Sequence, residues 1–272
     1  MEDSMEEGRT KEKKDLLKVL KDFFDRLYDG RNMKKIFITS IIIASVISVI
    51  TIMCGVYLND YYRADGDEIG LFMEDKTHIT SYRIDDGVTL FKGENMSDVG
   101  LIFYPGGKVE AEAYLPLMTL LAERGINAVL CEMPFNLAVL DVNAADGIAE
   151  RLPEVKKWYI GGHSLGGSMA ASYLDSHPEL EGIILLGSYS TADIGDERAL
   201  SIYGSKDGVM NRDKYEQYRP NLPKDLTEIV IEGGNHAYFG MYGEQDGDGK
   251  ADITAIEQMT ITADAIEDFI NQ

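Results

Sequence analysis

Hydrophobic and polar positions divide this chain into two unlike parts. Residues 36–58, IFITSIIIASVISVITIMCGVYL, carry no charged side chain over twenty-three positions. At about 1.5 Å of rise per residue, a helix of that length covers the roughly 30 Å hydrocarbon core of a bilayer. The run predicts a transmembrane anchor. A buried globular helix would show some polar face. A cleaved signal peptide would have a shorter charged region before it and a small-x-small site after it. Ile52 and Met53, before Cys54, do not form a lipoprotein cleavage box. Upstream, KKDLLKVLKDFFDRLYDG sets Leu16, Leu20, Phe23, Phe24 and Leu27 at helical spacing with lysines between them. That spacing predicts an amphipathic helix lying on the inner leaflet, with pairing to a partner helix as the alternative.

Beyond Arg63 the pattern changes to short β-rich runs separated by helical ones. HITSYRI, VTLF, VGLIFY, INAVLCEM, KWYIGG, EGIILLG, ALSIYG and TEIVIEGG read as strands, most of them continuous in apolar residues. Parallel strands covered on both faces have that composition. EAEAYLPLMTLLAERG, SLGGSMAASYLDSHP and TAIEQMTITADAIEDFIN read as helices between or after them. The alternation predicts an α/β fold with a mostly parallel central sheet flanked by helices and no large lid. The expected organisation is an N-terminal amphipathic segment over 1–35, the anchor over 36–58 and a globular domain over 67–272.

Charge sharpens this division. The formal net charge is −21, and it is borne almost entirely by the globular part: residues 64–272 hold fifteen Lys/Arg against thirty-seven Asp/Glu. Such a surface repels phosphate polymers, which excludes nucleic acid as a partner. Arg31, Lys34 and Lys35 precede the apolar run and only Arg63 follows it closely, so the N-terminus is expected in the cytoplasm and the acidic domain outside it. Cys54 lies in the apolar run and leaves Cys131 alone in the domain, without a disulfide partner there. Its setting, INAVLCEM, is that of a core strand residue.

The candidate chemistry centres on YIGGHSLGGSMA, residues 159–170. A glycine inside a helix costs roughly 1 kcal/mol against alanine, and here four glycines surround one serine. GHSLG, Gly162 to Gly166, fits the G-x-S-x-G nucleophile elbow between a strand end and a helix start, which pushes the Ser164 hydroxyl out above the sheet. The following helix aims its free N–H groups and dipole at that point, where negative charge is favoured. A serine hydroxyl needs a base and the base an orienting acid. His78 lies too early and His163 is adjacent to the serine along the chain. His177 ends the helix after it, as a surface cap. His236, in IEGGNHAYFG after the last strand, remains. For the acid, Asp207 in YGSKDG follows the next-to-last strand and is preferred over Asp193 and Asp196 in YSTADIGDE. The oxyanion donors expected are the Leu165 N–H and one from YPGGKVEAEAY, with Gly107 chosen first and Lys108 second.

Taken together, YPGG, GHSLGG, YGSKDG and GGNHAYFG resemble the α/β-hydrolase superfamily, and within it the small dienelactone-hydrolase-like branch, over roughly residues 67–272. The resemblance implies Ser164 as nucleophile, Asp207 as acid and His236 as base, hydrolysing a carboxylic ester or a near relative of one. A serine replaces the cysteine nucleophile of true dienelactone hydrolases, which argues against their substrate. The eleven residues between ILLG and ALSIYG leave little room for a lid. The expected activity is that of a membrane-anchored serine esterase acting on a small-molecule acyl substrate. A thioesterase, amidase or acyltransferase on the same triad, or a non-catalytic binding module on this scaffold, are the alternatives. No metal or organic cofactor is required by that chemistry. GEQDGDGKAD places Asp246, Asp248 and Asp252 as in part of a calcium loop and Glu257 at the twelfth position, but Lys250 and Ala251 break the pattern. A solvated loop beside His236 is the expectation there. Tyr104, Phe135, Tyr189, Met210 and Tyr238 follow strands and are candidates for either the pocket wall or the core.

Overall fold

The computed structural model describes residues 2–27 and 30–272, and side chains over 14–26 and 33–272. The chain forms two compact units, Met1–Asn59 and Asp60–Gln272. The first holds helices α1 (Glu2–Leu27) and α2 (Gly30–Asn59). Within α2, Met33–Asn59 is long and apolar enough to cross a membrane, with a mean hydropathy of 2.6 and none of it buried. Leu16, Leu20, Phe23 and Phe24 of α1 are likewise exposed. The expected helix includes Leu27, whose side chain lies outside the described residues.

The second unit is an eight-stranded sheet between helices. Its strands are β1 (Thr80–Asp85), β2 (Val88–Lys92), β3 (Val99–Tyr104), β4 (Asn127–Cys131), β5 (Lys157–His163), β6 (Gly182–Leu186), β7 (Arg198–Gly204) and β8 (Thr227–Ile231). All eight fall on the runs read as strands. They lie in the order β1-β2-β4-β3-β5-β6-β7-β8. β1 and β2 pair antiparallel, as do β2 and β4, and the other neighbours are parallel. β3, β4 and β6 are buried at every position, which is why their sequences do not alternate.

Side chains still point alternately to the two faces. Leu101 and Phe103 enter one apolar cluster with α4 (Leu115–Glu123) and α8 (Ala255–Ile270). Ile102 and Tyr104 enter the other, with α6 (Leu165–Leu174) and the short α5 (Ile148–Arg151). A third helix on the first face, α3 (Gly66–Met73), and α7 (Arg212–Tyr218) are too short, at eight and seven residues, for a helical period to announce them. The segment before α3 also belongs to this unit: the Tyr62 N–H donates to the Lys108 carbonyl at 2.7 Å and the Glu110 N–H to the Tyr62 carbonyl at 3.0 Å.

Parallel strands point their C-terminal ends the same way, so the loops after β3, β5, β7 and β8 gather along one edge of the sheet. Those four loops hold Gly107, Ser164, Asp207 and His236.

Candidate active site

Ser164 connects β5 to α6 with φ 52° and ψ −121°, a strained left-handed conformation for a residue with a Cβ. Backbone crowding dictates the glycines around it. A Cβ on Gly162 would stand 2.6 Å from the Tyr104 carbonyl oxygen and 2.7 Å from the Gly167 nitrogen. One on Gly166 would strike the carbonyl oxygens of Tyr104 and Pro105. The elbow is held from below: the Ser164 N–H donates to the Leu186 carbonyl at 2.9 Å, and the Ser188 hydroxyl donates to the Ser164 carbonyl at 2.7 Å. The serine itself is half-buried.

Asp207 and His236 meet although 29 residues separate them: Nδ1 of the imidazole lies 2.9 Å from Oδ2 of the carboxylate. Both side chains are sealed from solvent, at 1% and 0% exposure. The second carboxylate oxygen accepts the N–H groups of Val209 and Met210 at 2.9 and 2.8 Å. Burial pushes the Asp207 carboxyl up, but the His236 hydrogen bond and charge, with those two N–H groups, outweigh it and hold the group below its ordinary value. It is a carboxylate at neutral pH. Nε2 of His236 is buried and makes no hydrogen bond among the described residues, to Ser164 or to any other group. That nitrogen has no competing partner and is open to a hydrogen bond from a group that approaches it.

Gly187 makes the Asp207–His236 contact possible. It sits at φ 51°, and a Cβ there would lie 2.9 Å from His236 Nδ1 and 3.2 Å from Asp207 Oδ2.

The loop after β3 supplies one free donor. The Gly106 N–H is taken by the Tyr114 hydroxyl oxygen at 3.0 Å, and the Lys108 N–H by the Asn136 carbonyl at 2.7 Å. Lys108, the second choice for an oxyanion donor, therefore has its N–H committed. The Gly107 N–H has no acceptor among the described residues, and neither has that of Leu165. A Cβ on Gly107 would stand 2.9 Å from the Leu165 side chain, so the two residues face each other across the elbow.

His163 and Tyr114 form a brace that the sequence did not announce. The Tyr114 hydroxyl lies 2.8 Å from His163 Nδ1. Its oxygen accepts from Gly106, and with the His163 proton on Nε2 its own proton would be donated to Nδ1. The His163 ring also packs on His236, with centroids 4.5 Å apart. Burial first, and then the neighbouring imidazole, hold His163 well below its ordinary value of 6.5, against support from the His236 backbone. His163 is thus a neutral floor under His236.

The other candidates find structural places. His78 pairs with Glu123 at the surface at 3.2 Å, and His177 stacks on Tyr173. Asp193 accepts the Gly195 N–H in an exposed loop. Cys131 is buried in β4, and burial, followed by the charge of Asp141, raises its thiol above the ordinary range. Tyr104 is core: its hydroxyl donates to the Val142 carbonyl at 2.8 Å and accepts the Ala145 N–H at 2.9 Å. Met210 is buried, Tyr189 and Tyr238 are half-buried, and Phe135 is exposed at φ 53°. In the acidic loop, Asp252 pairs with Lys206 and Glu257 closes the capping box of α8 with Thr254. Asp248 spends both oxygens on backbone N–H groups.

With this geometry in view, the sequence profile of the alpha/beta hydrolase family matches residues 100–260, more than half the chain. The chain belongs to the alpha/beta hydrolase family. No curated protein matches it in sequence. Among solved structures it is similar to TT1662 from Thermus thermophilus, at 16% identity and a TM-score of 0.53, covering 71% of this chain and 99% of that one. It is also similar to a membrane phospholipase A described as a bacterial virulence factor, at 12% identity and a TM-score of 0.54, covering 88% and 98%. At such identities these similarities concern the fold.

Proposed function

We propose that this hydrolase cleaves a carboxylic ester through an acyl-enzyme formed on Ser164. The observation that carries the reading is the buried Asp207–His236 pair, whose imidazole Nε2 makes no hydrogen bond among the described residues, in a family member whose strained elbow presents Ser164 on the same edge. The Ser164 oxygen bonds to the acyl carbon as its proton passes to His236 Nε2. Negative charge collects on the carbonyl oxygen, where the N–H groups of Leu165 and Gly107 receive it. The tetrahedral adduct then collapses: the bond to the leaving oxygen breaks and His236 returns its proton to that oxygen. Water repeats the sequence on the acyl-enzyme, giving up a proton to His236 and releasing the acid and the free serine. Asp207 stabilises the imidazolium in both halves.

The test is labelling of the full chain in detergent by a fluorophosphonate, together with turnover of p-nitrophenyl esters. Wild type is expected to be labelled stoichiometrically, and Ser164→Ala to lose both labelling and turnover, the latter by a factor on the order of 10⁴ to 10⁶. Absence of labelling in folded wild type would leave a binding module on a hydrolase scaffold. Turnover of thioesters or amides in preference to esters would move the reaction to that leaving group on the same triad.

The anchor reading of α2 is part of the proposal, with the N-terminus in the cytoplasm and the hydrolase unit outside. Protease added to intact cells should then remove the hydrolase unit, and its protection would reverse the orientation. A lipid ester is the second reading for the substrate. It is favoured by the apolar α2 and by Phe135, Val139 and Leu140, exposed at 61%, 53% and 54% in the loop after β4. Release of fatty acid from phospholipid vesicles would separate it from hydrolysis of short soluble esters.

A further inference from the structure

Asp248 has no place in the steps just described, yet its carboxylate binds the backbone beside both buried members of the triad. Oδ1 accepts the Gly208 N–H at 3.0 Å and Oδ2 accepts the Ala237 N–H at 2.8 Å. Gly208 is the residue after Asp207, and Ala237 the residue after His236. One side chain therefore ties the acid loop, 40 residues away along the chain, to the base loop, 11 residues away. Oδ1 also accepts the Gly249 N–H at 2.8 Å, which fixes the rotation of the carboxylate.

The loop that carries Asp248 is itself anchored. The Asn235 side chain donates to the Gly249 carbonyl at 2.9 Å and accepts the Tyr238 N–H at 3.0 Å. Gln258, fully buried in α8, accepts the Asn235 N–H at 2.9 Å and donates to the Asn235 carbonyl at 2.8 Å. Gly208 packs backbone to backbone against this loop, since a Cβ there would stand 2.6 Å from the Gly247 carbonyl oxygen.

We propose that Asp248 is a positioning residue for the hydrolytic reaction, holding the loops of Asp207 and His236 at a fixed separation while the imidazole gains and loses its proton. The inference rests on the roles given above to Ser164, Asp207 and His236. An ionised carboxylate suits the task because both its oxygens accept, and hydrogen bonds to a charged acceptor are roughly twice as strong as neutral ones. An asparagine in its place retains one acceptor and turns an N–H group toward another N–H. Displacement of a catalytic group by about 1 Å costs on the order of 100-fold in rate, so a small relaxation of either loop registers in turnover.

The experiment compares full-length wild type, Asp248→Ala, Asp248→Asn and, as a control in the same loop, Asp246→Ala, whose side chain is exposed. Folded active sites are counted by fluorophosphonate stoichiometry, and kcat and KM are measured with a short p-nitrophenyl ester well below each melting temperature. Asp248→Ala is expected to lower kcat and the labelling rate constant together, roughly 10- to 100-fold, with KM within about twofold. Asp248→Asn should fall between it and wild type, and Asp246→Ala should match wild type. Should Asp248→Ala not fold, Asp248→Asn decides alone. Wild-type kcat and labelling rate in the variant, whatever its melting temperature, would overturn the inference and leave the hydrolase intact. Failure of wild type itself to label would instead remove the hydrolase reading and the inference with it.

Discussion

Gly187 concentrates the demands of the site into one missing methyl group. Its backbone, at φ 51°, lies under the Asp207–His236 hydrogen bond. An added Cβ meets the imidazole nitrogen at 2.9 Å, closer than real Cβ contacts come, and the ring has no free space because His163 lies 4.5 Å away, centroid to centroid. Gly187→Ala is expected to lower kcat by at least about 100-fold, with the left-handed strain adding about 1 kcal/mol of destabilisation. Ester turnover and urea unfolding measure the two effects, and a variant with full activity would show that the acid–base pair tolerates displacement. In the sequence this residue is only the last letter of IILLG. Nothing local distinguishes it from any glycine that ends a strand, because the side chains it faces come from the loops after β7 and β8.

At the level of elements, the elbow and the loop after β3 work as one piece through Tyr114. Its hydroxyl receives the Gly106 N–H and meets His163 Nδ1, so the residue before Gly107 is fastened to the residue before Ser164. Tyr114→Phe keeps the ring and its packing against Phe103, but leaves a buried N–H and a buried ring nitrogen unpaired, at a cost of about 1–3 kcal/mol each. The expected outcome is lower stability and a drop of roughly tenfold or more in kcat with little change in KM, as when an interaction made in the transition state is weakened. Equal activity in the two proteins would mean that the Gly107 N–H is held by other contacts. The hydrophobic pattern marked Tyr114 as helical and apolar, which it is. Its hydroxyl carried no signal, because its partners are a loop residue after β3 and the last residue of β5.

For the whole molecule, acid is the informative variable. His163 is buried neutral and its folded value lies below 6.5. Below that pH the unfolded chain takes up a proton that the folded chain refuses. Its contribution is therefore complete above about pH 6.5 and is lost as pH falls toward the depressed folded value. Asp207 acts lower on the scale: its folded value lies below 3.8, so its contribution is present above that pH and disappears as the acid titrates the folded carboxylate. Unfolding free energy should decline between pH 7 and 5, with His163 supplying up to about 1.4 kcal/mol per pH unit. Trp158, the one tryptophan and buried in β5, reports the transition in urea by fluorescence. A stability profile flat over that range would contradict a neutral buried His163.

The sequence by itself determined the alternation of eight strands with helices and the apolar helix, and it singled out Ser164, Asp207 and His236 as candidates, because each depends on periodicity, on local turn chemistry or on the order of motifs along the chain. Burial within strands such as VGLIFY was open to the same reading, since runs covered on both faces lose their alternation, and that loss hides which face each side chain takes. Which groups meet was decided only in three dimensions. GEQDGDGKAD is the clearest case: its acidic spacing suggests part of a cation loop, whereas Asp248 binds the N–H groups of the residues after Asp207 and His236, a partnership set by where β7 and β8 end. Hydrogen bonds between loops follow the sheet's strand order and register, and those arise from packing across the whole core, which no short stretch of residues encodes.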